Sequence, residues 1–513
     1  MAEQAASQMS AQEMLHNSYD DRRCISRKET IGFMLYSASL EFNLNGQKEL
    51  FRDSVLKISF NKQSIYNSIG GIWDCINDIL IGQMVDKTRT RWGKFVPYMF
   101  FSGLPYAAIS SVYWLLPVIL SAGVLNNYDS IPKFICYMLF EVLMETVTTL
   151  QTVTKDGFVA TVTPYPSDRT RLLSVTGYFN GWFQGLPSTI CEFLFDFITN
   201  DIIKSSKYTS AQMIQKAYTI MGPITVFAGG MGAFWFSTIA RERVPQSVEN
   251  PPVLKSLKVV VSNRPVLIYI ISEALASFGT GISTNNYYRW VLFWSTMETI
   301  CGIPSAFVQP IGFAKVGKLK KRFSTKSVYM VSTAFAKAMY IPVFLYGTLL
   351  KGKDGKPFYT NRTAMILPTM LWEIVYALFA GPKMVCSQEM QNECMDYIEW
   401  KNGFRNEATI TIAKSVLKKV PNQINEIIKP QIKKWIGFEP ERYNNKQAQE
   451  QKTQLYIFAM ATIFPAVIIL ISMIPMFWYN LDKETRERMY YDLIKRRAEQ
   501  AETVKTEADA EVK

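Results

Sequence analysis

Residues 73–94 read WDCINDILIGQMVDKTRTRWGK, and the spacing inside this stretch settles what kind of chain carries it. Asp74 and Asp78 stand four apart, so on a helix they share one face, with Asn77 beside them. The surrounding run, 65–84, is apolar enough to be read as a membrane span. Two carboxylates and an amide oxygen on one face of an intramembrane helix make a hard-oxygen cation site or a proton-accepting pair. The alternative is a pair of acids bridged to lysines for structure alone. Past them, Gly82 permits close helix packing and Asp86 sits at the helix end. Arg89, Arg91 and Lys94 then supply cationic partners that pair and unpair as two bodies rock.

The rest of the chain is of the same kind. Apolar runs fall at 95–120, 134–153, 172–198, 217–240, 265–282, 327–350, 364–385 and 455–479, each long enough to cross a bilayer. Weaker segments at 31–44, 65–84, 293–313 and 408–435 are interrupted by polar residues, which face a bundle interior or an aqueous cavity. The total is about twelve spans, which predicts an all-α polytopic membrane protein. Mean hydropathy is only +0.02 because charged tails and loops dilute these runs. Residues 1–28 hold no apolar signal core, so the first span is expected to act as the insertion signal.

Composition excludes several chemistries. The one histidine, His16, lies in the polar N-terminal tail, which rules out His-rich zinc sites and histidine proton relays. Seven cysteines are scattered without a CxxC pair, so no thiolate metal site or disulfide framework is expected. No GxxxxGK[ST] loop is present to cradle a nucleotide, so transport would draw on a gradient. The net charge of +13 sits largely beside the spans, which speaks for membrane topology rather than nucleic acid. Basic loops on the inside place both termini in the cytoplasm. An enzyme is not expected.

The chain divides into an N-terminal tail (1–30), a six-helix bundle (31–240), a polar linker with Pro245, Pro251 and Pro252 (241–264), a second bundle (265–480) and a charged tail (481–513). Ile81-Gly82 before one basic loop is echoed by Ile311-Gly312 before another, as expected of parallel repeats in the major-facilitator architecture.

The 73–94 stretch resembles the signature of the glycoside-pentoside-hexuronide cation symporters, the melibiose-permease-like family. Residues 396–407, DYIEWKNGFRNE, look like the same family's loop before its eleventh helix, and Asp168-Arg169-Thr170-Arg171 like its fourth-to-fifth loop. The resemblance implies symport of a sugar, glycoside or sugar acid across the cell membrane, coupled to sodium or protons, with no other cofactor and sodium as the one candidate metal. It puts Asp74, Asn77 and Asp78 on the family's cation-site positions and Lys419 on its eleventh-helix lysine.

Other positions depart from the family. Ile79 replaces its proline, Ser37 its first-helix acid with Glu41 one turn deeper, and Phe179 its fifth-helix arginine. Thr154, beside Lys155 and Asp156, stands for its fourth-helix acid. Phe158 falls on its sugar-contacting aromatic. Lys155 would then bring a tethered ammonium to the cation region.

The eleventh span, 408–435, carries Lys414, Lys418, Lys419, Glu426, Lys429, Lys433 and Lys434 together with Pro421 and Pro430. Each central charge costs roughly 2.5 to 3.5 kcal/mol in a lipid-facing helix, so these are shielded. Lys414 and Lys418 share a face, which fits a basic cavity wall for an anionic sugar. Pairing with Asp74, Asp78 and Asp156, or snorkelling from the ends, fits equally. The expected partners are a small-molecule substrate and the bilayer, around a monomer. Two further readings remain, a carrier of lysolipids or other amphiphiles and a transporter-like sensor that does not translocate.

Overall fold

The computed structural model describes residues 24–88, 90–163, 168, 172–173, 175–176, 180, 183, 185–243, 262–402, 407–481, 485–486, 488–489 and 491–493. Among these the secondary structure is helical throughout, apart from two isolated bridges in loops. The chain forms two compact units. The first comprises residues 1–248 with 439–448, and the second 249–438 with 449–513.

In the first unit the helices are α1 (Arg27–Glu41), α2 (Phe60–Lys87), α3 (Val96–Ile119), α4 (Ile131–Thr161), α5 (Leu186–Thr199) and α6 (Ser210–Ser237). Their starts are written in the sequence. Ser26 and Glu29 close a capping box on α1, and Thr209 and Gln212 close one on α6. Proline occupies the first turn of α3, α4 and α5. α3 and α6 make the closest approach, through glycines. A Cβ on Gly230 would lie 2.9 Å from the Gly103 carbonyl oxygen, and one on Gly229 2.6 Å from that of Ser39 on α1. Small residues let membrane helices gain contact where no hydrophobic drive exists between them. At one end of the unit, Phe33, Tyr36, Phe95, Met99, Phe158 and Phe236 form the core. At the other end Phe51 packs between Trp114 and Tyr218, with ring centroids at 4.7 and 5.1 Å.

The second unit holds α7 (Arg264–Ala276), α8 (Thr284–Trp290), α9 (Met297–Arg322), α10 (Thr325–Ala338), α11 (Tyr340–Leu349), α12 (Arg362–Asn402) and α13 (Glu407–Trp435). After the short α14 (Pro440–Asn444), which belongs to the first unit, come α15 (Gln451–Ala461) and α16 (Ile463–Ser472). Six helices or helix pairs among the described residues are long and apolar enough to cross a membrane, including α3, α4, α6 and α12. α12 has 41 residues, about 60 Å at 1.5 Å per residue, so it outruns a hydrocarbon core of about 30 Å.

The α7/α8 span is broken at 277–283, and a broken backbone inside a membrane needs partners. Asn425 of α13 supplies them, accepting from the Gly279 N–H at 2.9 Å and donating to the Ser277 carbonyl at 2.7 Å. Residues of the C-terminal charged segment also enter this unit: Met489 and Leu493 are buried in its core, and Arg486 pairs with Glu393 at 2.9 Å. Met489 and Leu493 of this charged segment are therefore packed with residues of α7 and α12 rather than solvated.

Candidate functional site

α2 brings the three candidate ligands together as the spacing requires. Asp74 and Asp78 are half-buried on successive turns, and Asn77 is buried, 2% exposed. The Asn77 amide nitrogen has no hydrogen-bond partner among the described residues. That nitrogen is a hydrogen-bond donor, so the amide oxygen is the atom that would face a cation. The helix is held at this level from α4, whose Thr146 accepts a hydrogen bond from the Trp73 indole at 3.1 Å. Two acids and an amide therefore stand on a positioned helix, a donor set suited to a hard cation or a proton. No group of three His, Cys, Asp or Glu side chains poised for a metal occurs among the described residues.

The fourth-span candidates divide. Thr154 is fully buried, and its hydroxyl donates back to the Leu150 carbonyl at 2.7 Å, as threonines do inside membrane helices. Phe158 is 1% exposed and lies 5.8 Å from the Phe33 ring and 5.7 Å from that of Phe236. The ring is enclosed by the unit's own core in this structure. Lys155 is half-buried and Asp156 exposed, and their charges act on each other.

Glu41 closes α1, half-buried on its last turn, and Ser37 accepts a hydrogen bond from the Asn180 amide at 2.7 Å. On α13 Lys419 is half-buried. Further along, Lys433 is fully buried with its ammonium 4.8 Å from the Trp290 ring, so an aromatic face shields it. Arg89 and the side chains of Asp86, Lys414 and Lys418 lie outside the described residues.

The end of α2 and the loop after it hold two glycines in different settings. A Cβ on Gly82 would meet open space, so this glycine is not a point of close packing. The demanding glycine is Gly93, with φ +111° and a hypothetical Cβ 2.4 Å from the Glu242 carboxylate. That carboxylate accepts from the backbone N–H groups of Lys94, Phe95 and Val96 at 2.9, 2.7 and 2.9 Å, capping α3 where its dipole favours an anion. Arg91 is exposed, stacked 5.5 Å from the Trp92 ring. Next to Glu242, Arg243 pairs with Glu29 at 2.7 Å and donates from its backbone to the Thr161 carbonyl at 2.9 Å. Asp168 accepts from the Cys24 and Ile25 amides at 2.9 and 3.0 Å. The acid between two arginines in 241–243 was the available signal for this network, and charge counting alone passes over it.

A two-unit, all-helical membrane chain with paired acids in its second span is a secondary transporter of major-facilitator architecture. The chain belongs to the family described as MFS/sugar transport protein, which it matches over residues 30–483. It is 23% identical to a glucuronide carrier protein homolog of Escherichia coli over 423 residues, 81% of this chain and 84% of the relative. It is 21% identical to an isoprimeverose transporter of Lactiplantibacillus pentosus over 448 residues, 84% of this chain and 83% of the relative. In fold it is similar to a mutant of the nucleoside transporter NupG, with a TM-score of 0.53 at 12% identity, covering 87% of this chain and 99% of that one.

Proposed function

We propose that this chain is a cation-coupled symporter that carries a sugar, glycoside or sugar acid across the cell membrane, with both termini in the cytoplasm. Asp74 and Asp78 hold the coupling ion, sodium or a proton, and Asn77 completes the site. The observation that carries the reading is the pair of half-buried acids, Asp74 and Asp78, beside the buried Asn77 amide on α2, in a chain of the sugar-transport family. The printed activities of the glucuronide and isoprimeverose relatives support a glycoside or sugar acid as cargo.

The test is uptake of labelled glucuronides and pentosyl-glucosides into proteoliposomes under separate sodium and proton gradients. Asp74→Asn and Asp78→Asn should each abolish gradient-driven accumulation while expression is preserved. Full accumulation by both variants would reject the assignment. Uptake by the wild type and by Lys155→Ala with sodium replaced by choline decides whether a free ion or the Lys155 ammonium serves the site: little sodium dependence in the wild type, gained in the variant, assigns the ammonium, and strong dependence in both assigns a free ion.

A further inference from the structure

The first span is interrupted inside the first unit. α1 closes at Glu41, and helical turns resume only at Asn45. At 1.5 Å per residue the break lies about 21 Å along α1, within a hydrocarbon core of about 30 Å, where freed backbone groups need partners. Several have one. The Phe42 N–H donates to the Ser39 carbonyl at 3.2 Å, the Asn43 N–H to that of Glu41 at 3.0 Å, and the Asn43 side chain to that of Leu40 at 2.9 Å. The Phe42 carbonyl makes no hydrogen bond among the described residues.

Ser39, Phe42, Tyr106 and Gln151, with glycines of α3 and α6, line a cavity of about 10 Å³, room for a single water-sized occupant. Gln151 of α4 is 5% exposed, and its side-chain amide makes no hydrogen bond among the described residues. A buried amide of that kind calls for a partner, and its oxygen is the atom that would face a cation. On the opposite wall a Cβ on Gly229 would lie 2.6 Å from the Ser39 carbonyl oxygen and 3.3 Å from that of Phe42, so only glycine leaves the approach to these two oxygens clear. The negative end of the α1 dipole falls on this break. Glu41, on the same last turn, adds a formal negative charge, half-buried and without an ion pair among the described residues. Neutral oxygens around one small space, with that charge behind them, suit a monovalent cation; a divalent one takes several carboxylates. We propose that the break in the first span, closed by Gln151 of α4, is a second cation site of sodium size, built on other helices than the one carrying Asp74 and Asp78.

The deciding experiment is binding of radioactive sodium to the purified full-length protein in detergent, with Asp74→Asn and Asp78→Asn both in place so that the acids of α2 take no part. This protein should retain saturable sodium binding. Adding Gln151→Leu, which keeps the bulk and removes the amide oxygen, should weaken that binding about tenfold or more. Adding Gln151→Glu instead puts a carboxylate at the same place and should tighten it. A double variant that binds no sodium overturns the proposal, and the cavity then holds a water. Sodium binding unchanged by Gln151→Leu overturns it as well. Thermal unfolding shows whether Gln151→Leu folds; where it does not, tighter binding in Gln151→Glu upholds the site, and unchanged or weaker binding rejects it. The measurement needs no sugar, so a wild type that moves none under any gradient defeats the symporter reading and leaves this result to stand or fall by itself.

Discussion

Lys133 shows how a charge is used where lipid would otherwise forbid it. It is fully buried at the start of α4, and its three ammonium hydrogens go to the carbonyls of Lys57, Leu125 and Asn127 at 2.9, 2.9 and 2.8 Å. Lys133→Met fills the same space but leaves those carbonyls open, which should cost about 2 kcal/mol or more. The readout is the thermal unfolding temperature in detergent, and an unchanged value would mean that water takes over the three bonds. Glu29 gives a pH-dependent counterpart. Burial alone would raise its pKa, but the Ser26 N–H and the Arg243 guanidinium outweigh that and hold it below the usual carboxylate range. A carboxyl depressed on folding stabilises above its unfolded pKa, and the contribution disappears as the pH falls through the folded value. The stability gap between wild type and Glu29→Gln should therefore be present at neutral pH and close in acid; a gap constant with pH would assign it to packing. Spacing revealed Asp74, Asn77 and Asp78 because a period of four maps directly onto a helical face. It could not reveal that Phe158 faces inward, because the position of a residue along a span does not say which neighbour covers it.

At the level of elements, the strong apolar runs were readable as helices, and their starts were marked by Ser26, Thr209 and first-turn prolines. The break between α7 and α8 was not readable, since 265–282 reads as one mainly apolar span in which Ser272, Glu273 and the Gly279-Thr280-Gly281 turn are the only interruptions. What permits it is remote: Asn425, some 146 positions away, bonds both sides of the gap. Asn425→Leu should leave one donor and one acceptor unsatisfied in an apolar setting, at about 1 to 3 kcal/mol each. Limited proteolysis and thermal inactivation in detergent check this, and wild-type behaviour would mean that the gap is bonded by water. The same long-range logic explains the lysines of the eleventh span. Lys433 is one of them, buried with its ammonium over the Trp290 ring, while the side chains of Lys414 and Lys418, on which the cavity-wall reading rests, lie outside the described residues.

For the whole molecule, the two-bundle plan was legible from twelve hydrophobic segments and one proline-rich linker. The exception is the segment 439–448, which follows α13 in sequence yet completes the first unit. Asn444 donates to the Ser54 carbonyl at 2.9 Å, Tyr128 donates to Glu441 at 3.3 Å, and Lys446 pairs with Asp201. Glu441 and Asn444, with Ser54, Lys57, Leu125 and Gln215, wall a cavity of about 500 Å³. A ribosome delivers this chain from its first residue, so the part begun earliest lacks its last wall until residue 448 has been made. Until then the loops around Ser54 and Leu125 stand uncovered, and the nascent protein depends on its translocation machinery to shelter them. Chains arrested at residue 430 should be cut readily near 120–130 by a protease added from that side, and chains arrested at 460 should resist. Equal cleavage of the two would mean that the early half closes without its late-arriving piece.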